Sequence, residues 1–156
     1  MVVRQIRWEK LELGWLKFNT DASFNASLGS AVGGGLIRDE RGNWVIGFTR
    51  KLGTVNSFTA EIWALRDGLL LCCQMKFPAV IVELDAQALV DAFESPSYSN
   101  LVISPLFDDC KLLASQIPNL RFRHVYHEAN ICADRLANLG LRNNWTLLSI
   151  LTLLWV

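Results

Sequence analysis

The chain has 156 residues, of which 51% are hydrophobic and 19% are charged, and its formal net charge at pH 7 is zero. This length predicts one domain with a sizeable core, and this composition excludes a disordered chain. Zero net charge argues against a protein that grips nucleic acid through a general basic excess. Any such binding must come from a local basic patch or from carboxylates neutralised by metal ions, and its affinity should be modest.

The chain is predicted to open with three antiparallel strands. Polar and apolar side chains alternate with period two over Leu16–Phe24, which is typical of a half-buried strand. Gly42 lies in a tight turn between the second and third strands. Three glycines, at 33–35, interrupt the second strand, where glycine weakens pairing unless another backbone or a ligand comes close. The predicted strands cover about residues 15–24, 31–39 and 44–52.

Helices and strands alternate in the rest of the chain. An apolar stripe at helical spacing predicts a helix over about 57–76, capped by Ser57 or Thr59. The apolar run 79–85 predicts a buried strand that a right-handed crossover places parallel to its neighbour. The remaining predicted elements are helices at about 86–93, 101–116 and 131–141 and a strand at about 121–126. Together they predict an α/β fold, with helices packed on a five-stranded mixed sheet.

The domain is predicted to span residues 15–142, after a lead-in segment at 1–14 and before an apolar tail at 143–156. The tail is too short to cross a bilayer. It could pack on the domain, contact a protein partner or a second copy, or be the remnant of a truncated reading frame. Residues 1–8 lack the apolar core of a signal peptide. We therefore expect an intracellular protein without membrane contact, in the cytoplasm or the nucleus.

The four cysteines do not have the spacing of a zinc finger. They are predicted to be buried free thiols in a reducing compartment. The alternative is a zinc site that joins them to His124 or His127. The cysteines are Cys72, Cys73, Cys110 and Cys132.

Four acidic residues lie where a scaffold presents functional groups. Asp21 lies in mid-strand, where aspartate is a poor strand former and is costly to place beside a core. Glu61 falls in the first turn of a helix, Asp85 ends a buried strand and Asp134 opens the last helix. Taken singly, each could be a solvated strand end or a carboxylate that complements a helix dipole. Only folding could bring the four together.

Several ordered motifs surround these acids. They are Lys17-Phe-Asn-Thr-Asp21, Gly33-Gly-Gly-Leu-Ile-Arg38-Asp-Glu-Arg-Gly42-Asn-Trp, Ala60-Glu-Ile-Trp-Ala-Leu65 and His127-Glu-Ala-Asn130-Ile-Cys-Ala-Asp134. Over about residues 15–140 the chain resembles the ribonuclease H family, and most closely its plant branch of retroelement-derived, reverse-transcriptase-like domains. The resemblance implies a ribonuclease H fold. It also implies a metal-dependent endonuclease that hydrolyses the RNA strand of RNA–DNA hybrids.

The resemblance assigns the four acids to two Mg²⁺ ions, with Mn²⁺ as a substitute. Asp21 would bridge both ions, Glu61 and Asp85 would bind one, and Asp134 would bind the other. The chemistry agrees, because clustered carboxylates raise each other's pKa and Mg²⁺ prefers oxygen ligands. Two such ions, about 4 Å apart, can activate a water molecule and stabilise the entering and leaving oxygens at a phosphodiester.

Further residues are assigned by the same resemblance. His127 would assist proton transfer or product release, for which a pKa near ~6.5 is suited; the alternative is an ordinary loop histidine. His124 lies inside a predicted strand and is expected to be structural. The expected contacts to nucleic acid are Gln87, Asn130, Ser57 and Ser23. An exposed helix glutamine and a helix N-cap are the alternatives for Gln87 and Asn130.

The chain also departs from the family pattern. Ala22 replaces the glycine that commonly follows the first aspartate, Ser57 replaces an asparagine, and no basic, tryptophan-rich segment lies between 95 and 118. Ala22, the zero net charge and the apolar tail favour an alternative function, a catalytically degenerate domain that only binds nucleic acid or protein, whereas the four intact acids oppose it. Substrate grip would depend on a separate domain or on the basic residues Lys17, Arg38, Arg50, Lys51, Arg121 and Arg123.

Overall fold

A computed structural model describes residues 11–25, 27, 29–94, 104–142 and 149–151. Strands and helices alternate through most of the chain. The strands are β1 Leu16–Asn25, β2 Ser30–Arg38, β3 Trp44–Gly53, β4 Ala79–Leu84, β5 Asn119–His124 and β6 Ser149–Leu151. The helices are α1 Ser57–Gln74, α2 Gln87–Glu94, α3 Ser104–Ser115 and α4 Ile131–Arg142, and a 3₁₀ turn at His127–Asn130 leads into α4.

The strands form one mixed sheet in the order β5-β4-β1-β2-β3-β6. The first three strands pair antiparallel, and β4 pairs parallel with both β1 and β5. The predicted five-stranded arrangement is therefore confirmed. A sixth strand adds to it, because residues 149–151 of the predicted tail pair antiparallel with β3. This pairing satisfies backbone groups at an edge that would otherwise be open.

Both faces of β1 are buried, so the predicted half-buried strand is corrected. Every residue from Lys17 to Asp21 is buried, because α1 packs on one face of the sheet and α4 on the other. Lys17 and Asn19 are each only 1% exposed. The alternation in the sequence separates the two faces of the strand, but it does not show that a later helix covers the polar one.

Two element ends differ from the sequence prediction. Helix α1 is capped by Asn56, whose side-chain oxygen accepts a hydrogen bond from the Thr59 backbone N–H at 2.8 Å. Ser57 is the first helical residue, so neither Ser57 nor Thr59 is the cap. Strand β5 begins at Asn119 and ends at His124, so Tyr126, which the prediction included, lies outside the strand.

The close approach expected at the glycines of β2 is found at Gly33. A Cβ atom at Gly33 would lie 3.0 Å from the Ala64 side chain of α1, closer than side chains normally pack. The missing side chain lets α1 lie directly on the sheet. Since Glu61 lies one turn before Ala64, this contact also brings the Glu61 carboxyl group towards β1 and β2.

The cysteines agree only in part with their prediction. All four are free, and Cys72 and Cys110 are buried as predicted, but Cys73 is partly buried and Cys132 is exposed. Burial raises the pKa of Cys72 and that of Cys110 to about 12. Within the described ranges, no cysteine belongs to a side-chain group that could hold a metal ion. None of the helices described is long and apolar enough to cross a membrane.

Deleting residues 143–156 would remove β6 and leave the β3 edge open. We expect the truncated chain to self-associate through β3 and to unfold at lower temperature than the full chain, because open edges pair with other chains. Sedimentation velocity and thermal unfolding measure both effects. A truncated chain that loses an oligomer of the full chain and keeps its stability would instead identify the segment as an interface.

Candidate metal centre

Two strands bring the first pair of acids together. Asn19 of β1 and Glu83 of β4 are partners in the parallel ladder. Asp21 and Asp85 each lie two residues further along, so period-two alternation places them on the same face and at the same height. Asp21 is 3% exposed, and Asp85 directly follows the last residue of β4. Ligand sites in α/β sheets commonly lie at such carboxyl ends of strands.

Helix α1 adds a third carboxylate. Carboxylate oxygens of Asp21, Glu61 and Asp85 all lie within 4.8 Å of one another. The arrangement depends on the short distance between α1 and the sheet at Gly33, since Glu61 lies near the start of that helix. Three oxygen donors at this spacing form a group that could hold one divalent cation.

The last helix completes a second group that also contains Asp21. Ligand atoms of Asp21, His127 and Asp134 lie within 4.8 Å of one another. His127 comes from the 3₁₀ turn, and its Nδ1 lies 3.5 Å from Oδ2 of Asp85. The structure therefore brings all four predicted acids and His127 to one place, and Asp21 is common to both groups.

Burial and mutual repulsion perturb the acids of the first group. Desolvation, followed by the charge of Asp85, raises the pKa of Asp21 to about 6. Desolvation and the charges of Asp21 and Asp85 raise the pKa of Glu61 to about 9. Oε2 of Glu61 is buried and has no hydrogen-bond partner in the described part of the chain. An all-oxygen group with an unpartnered buried acceptor fits a hard divalent cation such as Mg²⁺.

The two histidines have different surroundings. The side chain of His127 is 61% exposed, and its interaction with Asp85 is the main factor that raises its pKa. His127 thus lies at the open side of the centre. Nε2 of His124 donates a hydrogen bond to the backbone oxygen of Asp85 at 3.1 Å, which agrees with the structural role expected for His124.

The four residues expected to contact nucleic acid are placed differently from one another. Gln87 is exposed at the start of α2, where its amide donates to Asp91 at 2.8 Å. Ser57 is exposed at the start of α1, and Ser23 is half-buried on β1. Asn130 is 1% exposed and uses both ends of its amide inside the protein. Its side chain hydrogen-bonds to Asn19 and to the backbone oxygen of Thr20, and its contact with nucleic acid stays a prediction.

Sequence reasoning missed one residue beside the centre. Asn138 lies one helical turn after Asp134, and its Nδ2 donates to Asp134 Oδ2 at 3.2 Å. The Asn138 Oδ1 accepts a hydrogen bond from the Ser23 hydroxyl at 2.7 Å. Asn138 therefore orients Asp134, as hydrogen-bonding neighbours of metal ligands generally do. The i, i+4 spacing of acid and amide on one helix was a usable signal.

Most of the basic residues proposed for substrate grip are engaged inside the protein. Lys17 lies 3.6 Å from Glu83, and its burial lowers its pKa although the charge of Glu83 acts in the opposite direction. The other internal contacts run from Arg123 to Glu83 at 3.0 Å, from Arg50 to Asp67 at 2.8 Å and from Arg38 to Asn19 at 3.1 Å. The guanidinium of exposed Arg121 lies 4.6 Å from the Trp15 ring. Three of these residues form ion pairs with buried acids, which offset part of the positive charge proposed for substrate binding.

Comparison with known families agrees with this architecture. The sequence model of a family described as reverse transcriptase-like matches residues 19–140. The chain belongs to the reverse transcriptase-like family. The match begins within β1 and ends within α4, and every acid of the metal centre lies inside it. The fold is that of ribonuclease H, as the resemblance predicted, because solved ribonuclease H structures superpose on most of the chain.

Three similar proteins illustrate the relationship. An Arabidopsis thaliana protein provisionally named a ribonuclease H protein is 34% identical over 137 residues, which are 88% of this chain and 22% of that protein. The chain thus spans about a fifth of that relative. Ribonuclease H1 from Halobacterium salinarum has a TM-score of 0.76 at 20% identity, covering 82% of this chain and 98% of its own. LC11 ribonuclease H1, solved with an RNA/DNA hybrid, has a TM-score of 0.69 at 23% identity, with coverages of 81% and 96%.

The buried Glu61 carboxyl should destabilise the metal-free protein. Its pKa is about 9 when folded, against 4.5 for an unperturbed glutamate, so the folded chain holds the proton more tightly than the unfolded chain. Stability in EDTA should therefore fall as pH rises between these values. Glu61→Gln should remove much of this loss and raise the unfolding free energy at pH 7 by about 2 kcal/mol.

Urea unfolding in EDTA at pH 5, 7 and 9 measures this effect. Glu12→Gln, which alters an exposed carboxylate, is the control and should change stability by less than about 0.5 kcal/mol. A Glu61→Gln protein that is less stable than the parent at pH 7 would show that Glu61 is not under electrostatic strain.

Proposed function

We propose that this protein is a metal-dependent endonuclease that hydrolyses the RNA strand of RNA–DNA hybrids. The observation that carries the proposal is the convergence of Asp21, Glu61, Asp85 and Asp134, from four separate elements, in a chain with the ribonuclease H fold. Mutually repelling buried acids cost stability. Residues that break the rules of stable packing in this way are characteristic of functional sites.

The two side-chain groups suggest how the cations would be held. Asp21 would bridge both ions because it belongs to both groups. Glu61 and Asp85 would hold one Mg²⁺, and Asp134 would hold the other, with Asn138 fixing its carboxylate. Mn²⁺ would serve as a substitute because it accepts the same oxygen ligands. When bound, the pair of ions activates a water molecule and stabilises charge on the entering and leaving oxygens of the phosphodiester.

The remaining residues would handle protons and substrate. Nδ1 of His127 faces the Asp85 carboxylate. The other ring nitrogen of His127, Nε2, would therefore be available to exchange a proton with the scissile group or with water. Exposed Gln87 and Ser57 lie at the starts of α2 and α1, respectively, and would contact the hybrid together with Ser23. Such contacts can distinguish the 2′-hydroxyls of the RNA strand from deoxyribose. Hybrid binding is supported by the LC11 ribonuclease H1 structure, which contains an RNA/DNA hybrid.

One observation favours a second candidate, a domain that binds nucleic acid or protein without cleaving it. The net charge is zero, and four of the six basic residues expected to grip substrate have internal partners. Weak grip, however, is compatible with catalysis if a separate domain supplies affinity. Backbone amide shifts on Mg²⁺ titration separate the two candidates. Shifts at Asp21 and Asp85 support the enzyme, and their absence supports the binding module.

Asp21→Asn should abolish hybrid cleavage, because it removes the carboxylate common to both side-chain groups. We expect a loss of roughly a thousandfold or more in kcat. The assay uses a labelled RNA–DNA hybrid with RNA and DNA duplexes as substrate controls, in Mg²⁺, Mn²⁺ or EDTA. Asp109→Asn alters a 57% exposed acid on α3 outside both groups and should keep full activity. Undiminished cleavage by Asp21→Asn, or by the parent in EDTA, would exclude the two-metal mechanism.

His127→Ala should slow turnover while leaving hybrid binding intact. Because His127 lies at the open side of the centre and contacts Asp85, we expect kcat to fall by roughly a hundredfold. The KM for the hybrid should stay within a factor of two of the parent value, as is typical of an interaction made mainly in the transition state. Steady-state kinetics at saturating Mg²⁺ provide the comparison. An unchanged kcat would make His127 an ordinary loop histidine.

A further inference from the structure

A row of buried polar side chains lies directly behind the metal centre on the same face of the sheet. Asn19 precedes Asp21 by two residues on β1, and Glu83 precedes Asp85 by two on β4. Asn19 and Glu83 are partners in the parallel ladder. They are 1% and 5% exposed, respectively. Each strand thus carries an acid of the metal centre and, two residues earlier, a buried polar residue.

The neighbours of Asn19 fix the orientation of its amide. Nδ2 donates to Glu83 Oε1 at 2.9 Å, while Oδ1 accepts from Arg38 Nη2 at 3.1 Å. A flipped amide would point its oxygen at a carboxylate and its donors at a guanidinium, which is electrostatically unfavourable. Charges on two neighbouring strands therefore hold Asn19 in one orientation.

The oriented amide reaches out of the sheet to the segment that precedes α4. Nδ2 of Asn19 also donates to Asn130 Oδ1, at 3.2 Å. Asn130 in turn donates from its Nδ2 to the backbone oxygen of Thr20 at 2.7 Å. Asn130 closes the 3₁₀ turn that begins at His127. These two hydrogen bonds tie that turn to β1 at the residues immediately before Asp21.

Burying these polar and charged side chains costs desolvation free energy, so their presence calls for a functional explanation. Glu83 is compensated by Lys17, at 3.6 Å, and by Arg123, whose Nε donates to it at 3.0 Å. Buried ion pairs of this kind are often no more stabilising than apolar packing, but they can specify a unique arrangement. Here the arrangement they specify is the orientation of Asn19, and through it the position of Asn130.

We propose that Asn19 is a positioning residue for the metal centre. It holds the 3₁₀ turn and the start of α4 against β1, and so sets the distance from Asp21 to His127 and Asp134. Asn19 touches neither metal nor substrate. The inference rests on the proposed function, because it assigns Asn19 to the same centre, and it predicts an asymmetric effect. The group of Asp21, Glu61 and Asp85 takes none of its ligands from this turn or from α4, whereas the group of Asp21, His127 and Asp134 takes two.

The test compares Asn19→Ala with the parent protein in two measurements that require no cleavage. In metal-free protein, backbone amides over 127–134 should exchange with solvent about tenfold faster, as expected when buried hydrogen bonds are lost. In a Mg²⁺ titration, the midpoint of the amide shifts at Asp134 should rise about tenfold. The midpoints at Glu61 and Asp85 should change less than twofold.

Asp67→Asn is the matched control, because Asp67 is a 3% exposed acid paired with Arg50 away from the turn. It should lower global stability without the asymmetric effect. If Asn19→Ala does not fold, the same measurements on Glu83→Gln decide, because that change removes the charge that orients Asn19. Equal shifts of all midpoints, or unchanged exchange over 127–134, would overturn the proposal.

Cleavage assays separate this proposal from the proposed function. If the parent cleaves hybrid, Asn19→Ala should need about tenfold more Mg²⁺ for half-maximal rate, with KM for the hybrid unchanged and full rate restored by excess Mg²⁺. If the parent does not cleave, the proposed function fails. The amide exchange and Mg²⁺ titration measurements still test the role of Asn19.

Discussion

The parallel pairing of β1 with β4 is the constraint on which the site depends. Because Asn19 lies opposite Glu83, Asp21 and Asp85 emerge side by side. A slip of one residue in either strand would turn one carboxylate to the opposite face of the sheet. The register is fixed by apolar residues on the other face, where Phe18 and Val82 are completely buried and opposite each other. Packing on one face of the sheet thus determines the chemistry on the other.

The same pairing creates an electrostatic conflict that the rest of the fold has to withstand. Burial and the charge of Asp85 raise the pKa of Asp21, and burial and the charges of Asp21 and Asp85 raise that of Glu61. Both shifts are unfavourable for folding without a cation. The favourable contributions come from elsewhere, above all from the core between α1 and the sheet. A chain with both sheet faces covered can tolerate such a site. Stability and function are therefore supplied by different layers of one domain.

Much of the fold could be predicted from the sequence because its elements have local signals. The apolar run of β4, the turn at Gly42 and the helical stripe of α1 each depend on near neighbours in the chain. The buried ion pair of Lys17 could not be predicted in this way, because its partner Glu83 lies far along the chain. The same holds for β6, whose pairing partner β3 lies about a hundred residues earlier.

In the candidate site, too, features with local sequence signals could be predicted, and features that depend on distant residues could not. The four acids could be named because Asp21 lies in mid-strand and the other three lie near element ends, where a carboxylate needs an explanation, and because their motifs resemble a family. The motif around Asn130 does not reveal that this residue is buried, because its hydrogen-bond partners Asn19 and Thr20 come from β1, far away in the chain. Asn19 was noted only as a polar residue of an alternating strand. Its importance appears when its three polar neighbours are seen together.

The balance of charge suggests a division of labour between cutting and gripping. A nuclease domain needs cations at its acids, and these also neutralise the phosphates near the centre. Further affinity requires basic side chains that contact several phosphates. Lys17 and Arg123, however, form ion pairs with Glu83, and Arg50 forms one with Asp67. Releasing these three residues to bind phosphates would leave Glu83 and Asp67 unpaired in the interior, which would destabilise the fold. A domain built in this way suits a larger assembly in which tethering raises the effective substrate concentration.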